Sequence, residues 1–298
     1  MEIFEFNERT QLKEPTILVL GYFDGLHRGH QALFKEARDL KALLGLPIVV
    51  LTFPEKPVLT FQQFTHEMLL KLSSDDKRAA LFEENGVDAL YLQAMTSQFA
   101  AQTALEFTEN VVSKFRPKVV VTGFDYTTGS DMKALKSTDD FRVVVVPEVL
   151  DGDEKIGSTR IRQAVKSGNV AEANRLLGWS YETTGLVVHG FARGRELGYP
   201  TANLVIKDFV HVPSPGVYVV DVLVEGEKRR GFASIGFNDT FEGTQETLEV
   251  HIFDFQKEIY GESLTVYWLD KIRAMQKFDG VESLVAQMKK DEQVARLW

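Results

Sequence analysis

His27 and His30 stand three positions apart in the stretch GYFDGLHRGH (21–30), in a chain with only six histidines. Four apolar residues, Ile17 to Leu20, run straight into that stretch, and a helical pattern follows it. A strand that turns into a helix there aims the helix's first N–H groups, and the positive end of its dipole, at one spot. Gly21, Gly25 and Gly29 permit tight turns and let the backbone approach a ligand closely. His27 and His30 add donors to the same spot, and the combination suits a triphosphate. Two other readings stand beside this one. The histidines could ligate a metal, although the chain has no cysteine and no obvious third ligand lies nearby, or the loop could hold no ligand. A Walker-type phosphate loop does not explain the site, because in GDEKIGS (152–158) Lys155 lies inside the loop and not after its final glycine.

A second constellation lies in GLVVHGFARGRELGYPTANL (185–204). Gly190, Gly194 and Gly198 would let backbone amides wrap phosphates, and Pro200 fixes the backbone just before Thr201 and Asn203. Thr201 and Asn203 offer hard oxygen atoms, which suit Mg²⁺ better than a softer metal. A hairpin with turn glycines followed by an edge strand would explain the glycines but not the Thr-x-Asn pair. Further on, TLEVHIF (247–253) alternates: Thr247, Glu249 and His251 share one strand face, and Leu248, Val250 and Ile252 share the other.

The elements that must position these residues differ between the two halves. The first 180 residues alternate short apolar runs with helical patterns. Strands are predicted over 16–23, 47–53, 89–93, 118–124 and 141–149, with helices over 30–45 and 103–115. Continuous apolar strands separated by helices predict an α/β, Rossmann-like unit with a parallel sheet covered on both faces. Residues 158–178 read as two short helices. From Thr184 the strand patterns are spaced by turns and predict a small β-barrel, closed by a last helix with Val281, Leu284, Val285 and Met288 on one face. The boundary is expected near residues 179–184, giving domains of 1–180 and 181–298.

The 298 residues carry a net charge of −9, which disfavours broad nucleic-acid binding. The most basic cluster, Lys228-Arg229-Arg230, reads as a solvated hairpin tip beside Glu225-Gly226-Glu227. No apolar run approaches the roughly 20 residues of a membrane span, so no membrane partner is expected. MEIFEFNERT lacks the basic start and long apolar stretch of a signal peptide, and the expected location is the cytoplasm. The sequence assigns no oligomeric state.

GxFDGxHxGH resembles the HxGH motif of the nucleotidyltransferase superfamily. Its FDG lead-in, KIGSTRIR (155–162) and GFDYTTG (123–129) resemble the adenylyltransferase half of bacterial bifunctional riboflavin kinase/FAD synthetases. The stretch 185–204, the Glu249-x-His251 strand and IRAMQKFDGVESL (272–284) resemble the riboflavin kinase half of that family. The resemblance spans nearly the whole chain. It implies a nucleotidyltransferase domain, then a kinase barrel. Riboflavin and ATP would give FMN, and FMN and ATP would give FAD with release of pyrophosphate. In the first domain, ATP would be bound by Gly21, Phe23, Asp24, Gly25, His27, Gly29 and His30, with Ser158, Thr159 and Arg162 closing over the phosphates. Ser158 or Thr159 could equally be an ordinary N-cap. Asp125 would lie near the flavin, or be a turn residue. In the second domain, Gly190, Gly194, Gly198, Thr201 and Asn203 would bind ATP, with Thr201 and Asn203 on Mg²⁺. Glu249 would act as base and Arg273 would meet the flavin. Four departures from the family pattern stand out: Thr128, Gly157, Asp239 and Met275. They leave two alternatives open, a single-activity FAD synthetase with an impaired kinase half and a non-catalytic flavin-binding module.

Overall fold

The computed structural model describes all residues except 191–193, 195–197 and 241–242, and it leaves undescribed the side chains of 238–240 and 243–246. By contact the chain divides into two compact units, Met1–Lys71 with Asp75–Ser158, and Leu72–Ser74 with Thr159–Trp298.

The first unit is a parallel sheet of six strands: β1 (Glu2–Glu5), β2 (Thr16–Leu20), β3 (Ile48–Thr52), β4 (Ala89–Leu92), β5 (Pro117–Gly123) and β6 (Arg142–Val146). Their order is β1-β4-β3-β2-β5-β6, every pair parallel. Every residue of β2 and β3 is buried, as a sheet covered on both faces requires. The chain leaves β2 in one direction along the sheet and returns to β5 on its other side. The carboxyl ends of β2 and β5 therefore flank the point where strand order reverses, which is where open α/β sheets bind ligands.

Helix α1 (Arg28–Leu44) begins where the histidine stretch predicts and ends at Gly45, whose φ of 69° is left-handed. Helix α2 (Asp75–Glu84) and edge strand β1 were not evident in the sequence pattern. The helix expected over 103–115 is shorter. A capping box of Thr103 and Glu106 opens α4 (Ala104–Asn110), after the single turn α3 (Ser97–Ala100), and a 3₁₀ turn over Val112–Phe115 replaces its second half. The break falls at Val111, whose φ of −121° is not helical; two adjacent β-branched residues there weaken the helix. A short hairpin, β7 (Leu150–Asp151) with β8 (Glu154–Lys155), precedes the KIGSTRIR motif.

Helices α5 (Ser158–Ser167) and α6 (Val170–Leu177), the two predicted short helices, belong to the second unit from Thr159 onward. The Asn174 side chain on α6 donates to the Trp268 carbonyl at 2.7 Å and accepts from the Tyr181 N–H at 2.6 Å, which ties α6 to the strands that follow. Six strands then close into an antiparallel barrel in the order β10-β13-β12-β11-β14-β9. They are β9 (Glu182–Val188), β10 (Ala202–Ile206), β11 (Gly216–Val224), β12 (Glu227–Thr240), β13 (Gly243–Ile252) and β14 (Ser263–Arg273). The predicted alternation on β13 holds, for Leu248, Val250 and Ile252 are buried. Helix α7 (Val281–Leu297) covers part of the barrel, with Val285, Met288 and Ala295 packed on Tyr199, Phe232 and Phe253. Val281 is 60% exposed and drops out of the predicted apolar face. The basic cluster is a hairpin tip, turned by Glu225 and Gly226 in left-handed conformation. Arg229 pairs with Glu227 at 2.7 Å, Arg230 pairs with Asp221 at 2.7 Å, and Lys228 lies over the Tyr267 ring.

Candidate active sites

In the first unit, β2 delivers the chain into a strained turn. Phe23 sits in the left-handed region at φ 60°, and its ring folds back over Gly21. A Cβ at Gly21 would lie 2.6 Å from the Phe23 ring, so only glycine fits there. Asp24 and Gly25 are buried in a 3₁₀ turn, Asp24–Leu26, with Gly25 at φ 77°. They underlie the site and do not line its cavity. His27 then caps α1, its Nδ1 accepting the His30 N–H at 3.4 Å, which leaves the ring proton of neutral His27 on Nε2. The two imidazoles stack with centroids 3.7 Å apart. Gly29 permits this stack, because a Cβ there would press on the His27 ring at 3.1 Å.

These residues open onto a cavity of about 560 Å³, bounded by Gly21, Phe23, His27, Gly29 and His30 on one side and by Asp125, Lys155 and Ser158 on another. Ser158 Oγ donates to the Asp24 carbonyl at 3.1 Å, within the first unit. Asp125 forms an ion pair with Lys155 at 2.6 Å, and the Lys155 ammonium also lies 4.4 Å from the Phe124 ring centroid. The remaining wall is apolar and includes Phe53, Phe61, Met95, Phe99 and Phe107. The cavity thus combines a helix N-terminus and two imidazoles with a broad apolar wall, as small-molecule sites commonly do. The sequence reading missed that apolar wall. Its signal was Phe53, which directly follows β3 at the carboxyl edge of the sheet. Thr159 and Arg162 fall on α5 within the second unit.

Burial pushes the His30 imidazole well below the ordinary histidine range, and the charges of His27, Arg78 and Lys155 act in the same direction. His30 is neutral at neutral pH, and its buried Nδ1 has no hydrogen-bond partner among the described residues. Below about pH 6.5 the unfolded chain takes up a proton that the folded site refuses, so stability falls as pH drops from there toward the folded-state value. Replacing His30 with Asn is expected to flatten this fall by up to about 1.4 kcal/mol per pH unit. Denaturant midpoints between about pH 5 and pH 7 measure it; parallel slopes for the two proteins would mean that folded His30 protonates freely.

In the second unit, β10 and β13 pair so that Asn203 lies opposite Glu249. Thr201 Oγ1 donates to Glu249 Oε2 at 3.1 Å. The Asn203 amide occupies the place of a side chain at position 190, where a Cβ would lie 2.3 Å from it, so Gly190 makes room for it. A Cβ at Gly194 would lie 2.3 Å from the Tyr199 carbonyl and 3.4 Å from Thr201 Oγ1. Gly198 has a left-handed φ of 81°. The intervening residues 191–193 and 195–197 of the glycine-rich loop lie outside the described residues. His251 Nδ1 bonds the Pro200 carbonyl at 2.8 Å, which fixes the backbone ahead of Thr201. Burial lowers the His251 pKa.

Residues 9–160 match the FAD synthetase family, and residues 177–298 match the riboflavin kinase family. The bifunctional riboflavin kinase/FMN adenylyltransferase of Listeria monocytogenes is 40% identical over 288 residues, which are 94% of this chain and 91% of that protein. The enzyme of the same description from Bacillus subtilis is 35% identical, over 94% of this chain and 91% of its own. The chain belongs to the bifunctional riboflavin kinase/FMN adenylyltransferase family. A solved Streptococcus pneumoniae chain described as a macrolide-efflux protein has the same fold, with TM-score 0.96, 46% identity and full coverage of both chains. Among the described residues of the present chain, no helix is long and apolar enough to cross a membrane.

Against the family pattern, the departures fall at distinguishable places. Thr128 is buried and exchanges both backbone hydrogen bonds with Lys133, so it closes a small loop at the cavity wall. The Tyr126 phenol bonds Thr128, and burial pushes its pKa up. Gly157 has open space around it, for the nearest atom to a Cβ there is Lys155 Cε at 4.0 Å. Met275 is half-exposed and lies against Ser234 and Gly236 of β12, with Ser234 directly opposite Glu249 in register. The Asp239 side chain lies outside the described residues. Arg273 is committed to the buried carboxylate of Asp291 through Nε at 3.0 Å and Nη2 at 2.7 Å, and so holds α7 to β14. With both family halves matched and Thr201, Asn203 and Glu249 assembled, the impaired-kinase and non-catalytic alternatives lose their support.

Proposed function

We propose that residues 1–180 transfer the adenylyl group of ATP to FMN and that residues 181–298 phosphorylate riboflavin, in the cytoplasm. The observation that carries this reading is the presence of two chemically different sites, one built on the histidine turn and the other on the β10–β13 pair. One has a helix N-terminus and two stacked imidazoles at the edge of a cavity. The other has a carboxylate within hydrogen-bond reach of a hydroxyl donor.

In the kinase half, the 5′-hydroxyl oxygen of riboflavin attacks the γ-phosphorus of ATP and the bond to ADP breaks. The hydroxyl proton passes to Glu249, because an alcohol needs a base to become a nucleophile. The donor set around Glu249 fits Mg²⁺: Thr201 and Asn203 supply neutral hard oxygens beside a single carboxylate, and this ion is usually held by few protein groups plus substrate phosphates. Thr201 and Asn203 would hold it, and once bound it neutralises charge on the transferring phosphate. In the adenylyltransferase half, a phosphate oxygen of FMN attacks the α-phosphorus of ATP and pyrophosphate leaves. That nucleophile is already ionised at neutral pH, so positioning and charge stabilisation suffice. His27, His30 and the first N–H groups of α1 hold the phosphates. Ser158 steadies the histidine turn through its hydrogen bond to the Asp24 carbonyl. The flavin lies against the apolar wall near Asp125. Arg273 serves the kinase flavin pocket by fixing α7.

Removing Mg²⁺ with a chelator is expected to stop FMN formation from riboflavin and ATP, and adding Mg²⁺ back to restore it. Undiminished FMN formation in the chelator would remove the metal role from Thr201 and Asn203.

A further inference from the structure

Arg78 is a cation that the chemistry above does not use. It lies on α2 and is 5% exposed. Its Nη1 donates to the Phe53 carbonyl at 2.9 Å, and its Nη2 donates to Thr52 Oγ1 at 2.6 Å and to the Tyr22 carbonyl. The guanidinium also lies 4.9 Å from the Tyr22 ring centroid. Tyr22 follows β2 by two positions and Phe53 follows β3 directly, so one side chain joins the carboxyl ends of the two adjacent strands. Thr52 Oγ1 completes the join by donating to the Tyr22 carbonyl at 3.0 Å. Tyr22 and Phe53 both line the cavity, and Arg78 does not.

The charge balance around Arg78 is unusual. Its direct partners among the described residues are two carbonyls, a hydroxyl and aromatic rings, all neutral. Tyr22 is not a hidden anion, because burial pushes its phenol far above the ordinary tyrosine range. Of the carboxylates in the neighbourhood, Asp75 and Glu55 pair with Lys71, at 2.8 Å and 3.7 Å, and the buried Asp24 attracts Arg78 electrostatically without a hydrogen bond to it, a partial compensation only. The Arg78 Nε is buried with no hydrogen-bond partner among the described residues. A buried charge without a directly bonded carboxylate is costly in a ligand-free fold. The cost is offset when an anion occupies the space on the other side of the wall, where low dielectric keeps the attraction strong.

We propose that Arg78 is a positioning residue of the adenylyl-transfer site. Its buried charge, set behind Tyr22 in the turn that leads from β2 into the two histidines, favours the nucleotide's polyphosphate, while its hydrogen bonds hold the ends of β2 and β3 in place. It acts through the wall and its field, without touching substrate. The inference rests on the reading of this cavity as the site that turns FMN and ATP into FAD.

The test uses the full-length protein and three probes: ATP, inorganic pyrophosphate and FMN. Wild-type protein must first make FAD from FMN and ATP; failure there defeats the reading of the cavity itself. Arg78→Met is then expected to raise the ATP KM of FAD synthesis and the pyrophosphate inhibition constant together, by about tenfold or more. FMN binding, followed by quenching of flavin fluorescence, should weaken clearly less than ATP and pyrophosphate binding, since FMN carries a single phosphate and the apolar wall persists. Arg78→Lys keeps the charge and should recover most of the ATP and pyrophosphate affinity. A stability loss in Arg78→Met with unchanged ATP and pyrophosphate constants would make Arg78 a structural brace only and overturn the inference. So would an equal loss of FMN and ATP binding, which marks a collapsed cavity. Should Arg78→Met not fold, Arg78→Lys decides alone: near-wild-type pyrophosphate affinity supports the charge role, and a tenfold or greater loss in a folded protein contradicts it.

Discussion

Replacing Glu249 with alanine abolishes FMN formation from riboflavin and leaves conversion of FMN to FAD nearly unchanged. The expected loss is on the order of 10²–10⁴-fold, the range set by removal of a positioned general base. Three features single out this carboxylate. It stands opposite Asn203 in the β10–β13 register, it accepts the Thr201 hydroxyl at 3.1 Å, and its neighbours Leu248 and Val250 anchor the strand in the barrel interior. A glutamate on the solvated face of a strand would change activity little when replaced. Glu249→Gln is the sharper variant, because it keeps shape and hydrogen bonding but cannot take a proton. Separate assays with riboflavin and with FMN check the prediction. Equal loss of both activities would mean that the two halves do not work independently.

His30→Ala has the converse effect. FAD formation is expected to fall by about 10²–10³-fold, as for loss of one preorganised donor to developing charge, while the kinase rate persists. The His30 ring stacks on His27 at 3.7 Å and meets the Phe23 ring edge-on at 5.2 Å, so its position is set from two sides. Its Nδ1 is buried without a partner among the described residues, an arrangement that is costly unless a ligand completes it. His30→Asn keeps a donor in the same place and should lose less than alanine. Wild-type FAD synthesis in His30→Ala would refute the role.

The parts of this molecule that were legible in the sequence share one property: their pattern is local. TILVL and PIVVLTF announce buried strands because every residue in them is apolar, and TLEVHIF announces a half-buried strand by strict alternation. The histidine stretch announces a helix N-terminus by its glycines and by the helical run behind it. Strand β1 is invisible because EIFE is exposed along its whole length and is held by pairing with β4, which lies far away in sequence. Arg78 is invisible for a similar reason. In DDKRAALFEE it reads as one more surface charge, and only the packing of α2 buries it. The apolar wall of the cavity comes from Phe53, Phe61, Phe99 and Phe107, on separate segments that no spacing rule connects. The Arg273–Asp291 pair is invisible too, because Asp291 lies 18 residues further on, across the turn into α7.

The central claim is that one chain runs both reactions in sequence. The most direct measurement is a chromatographic time course with purified protein, riboflavin, ATP and Mg²⁺. FMN should appear first, and FAD should follow as FMN accumulates, with pyrophosphate released in step with FAD. Riboflavin that stays untouched while added FMN becomes FAD would contradict the claim, and would point to the neighbourhood of Asp239 and Met275 as the place where the kinase half has been lost.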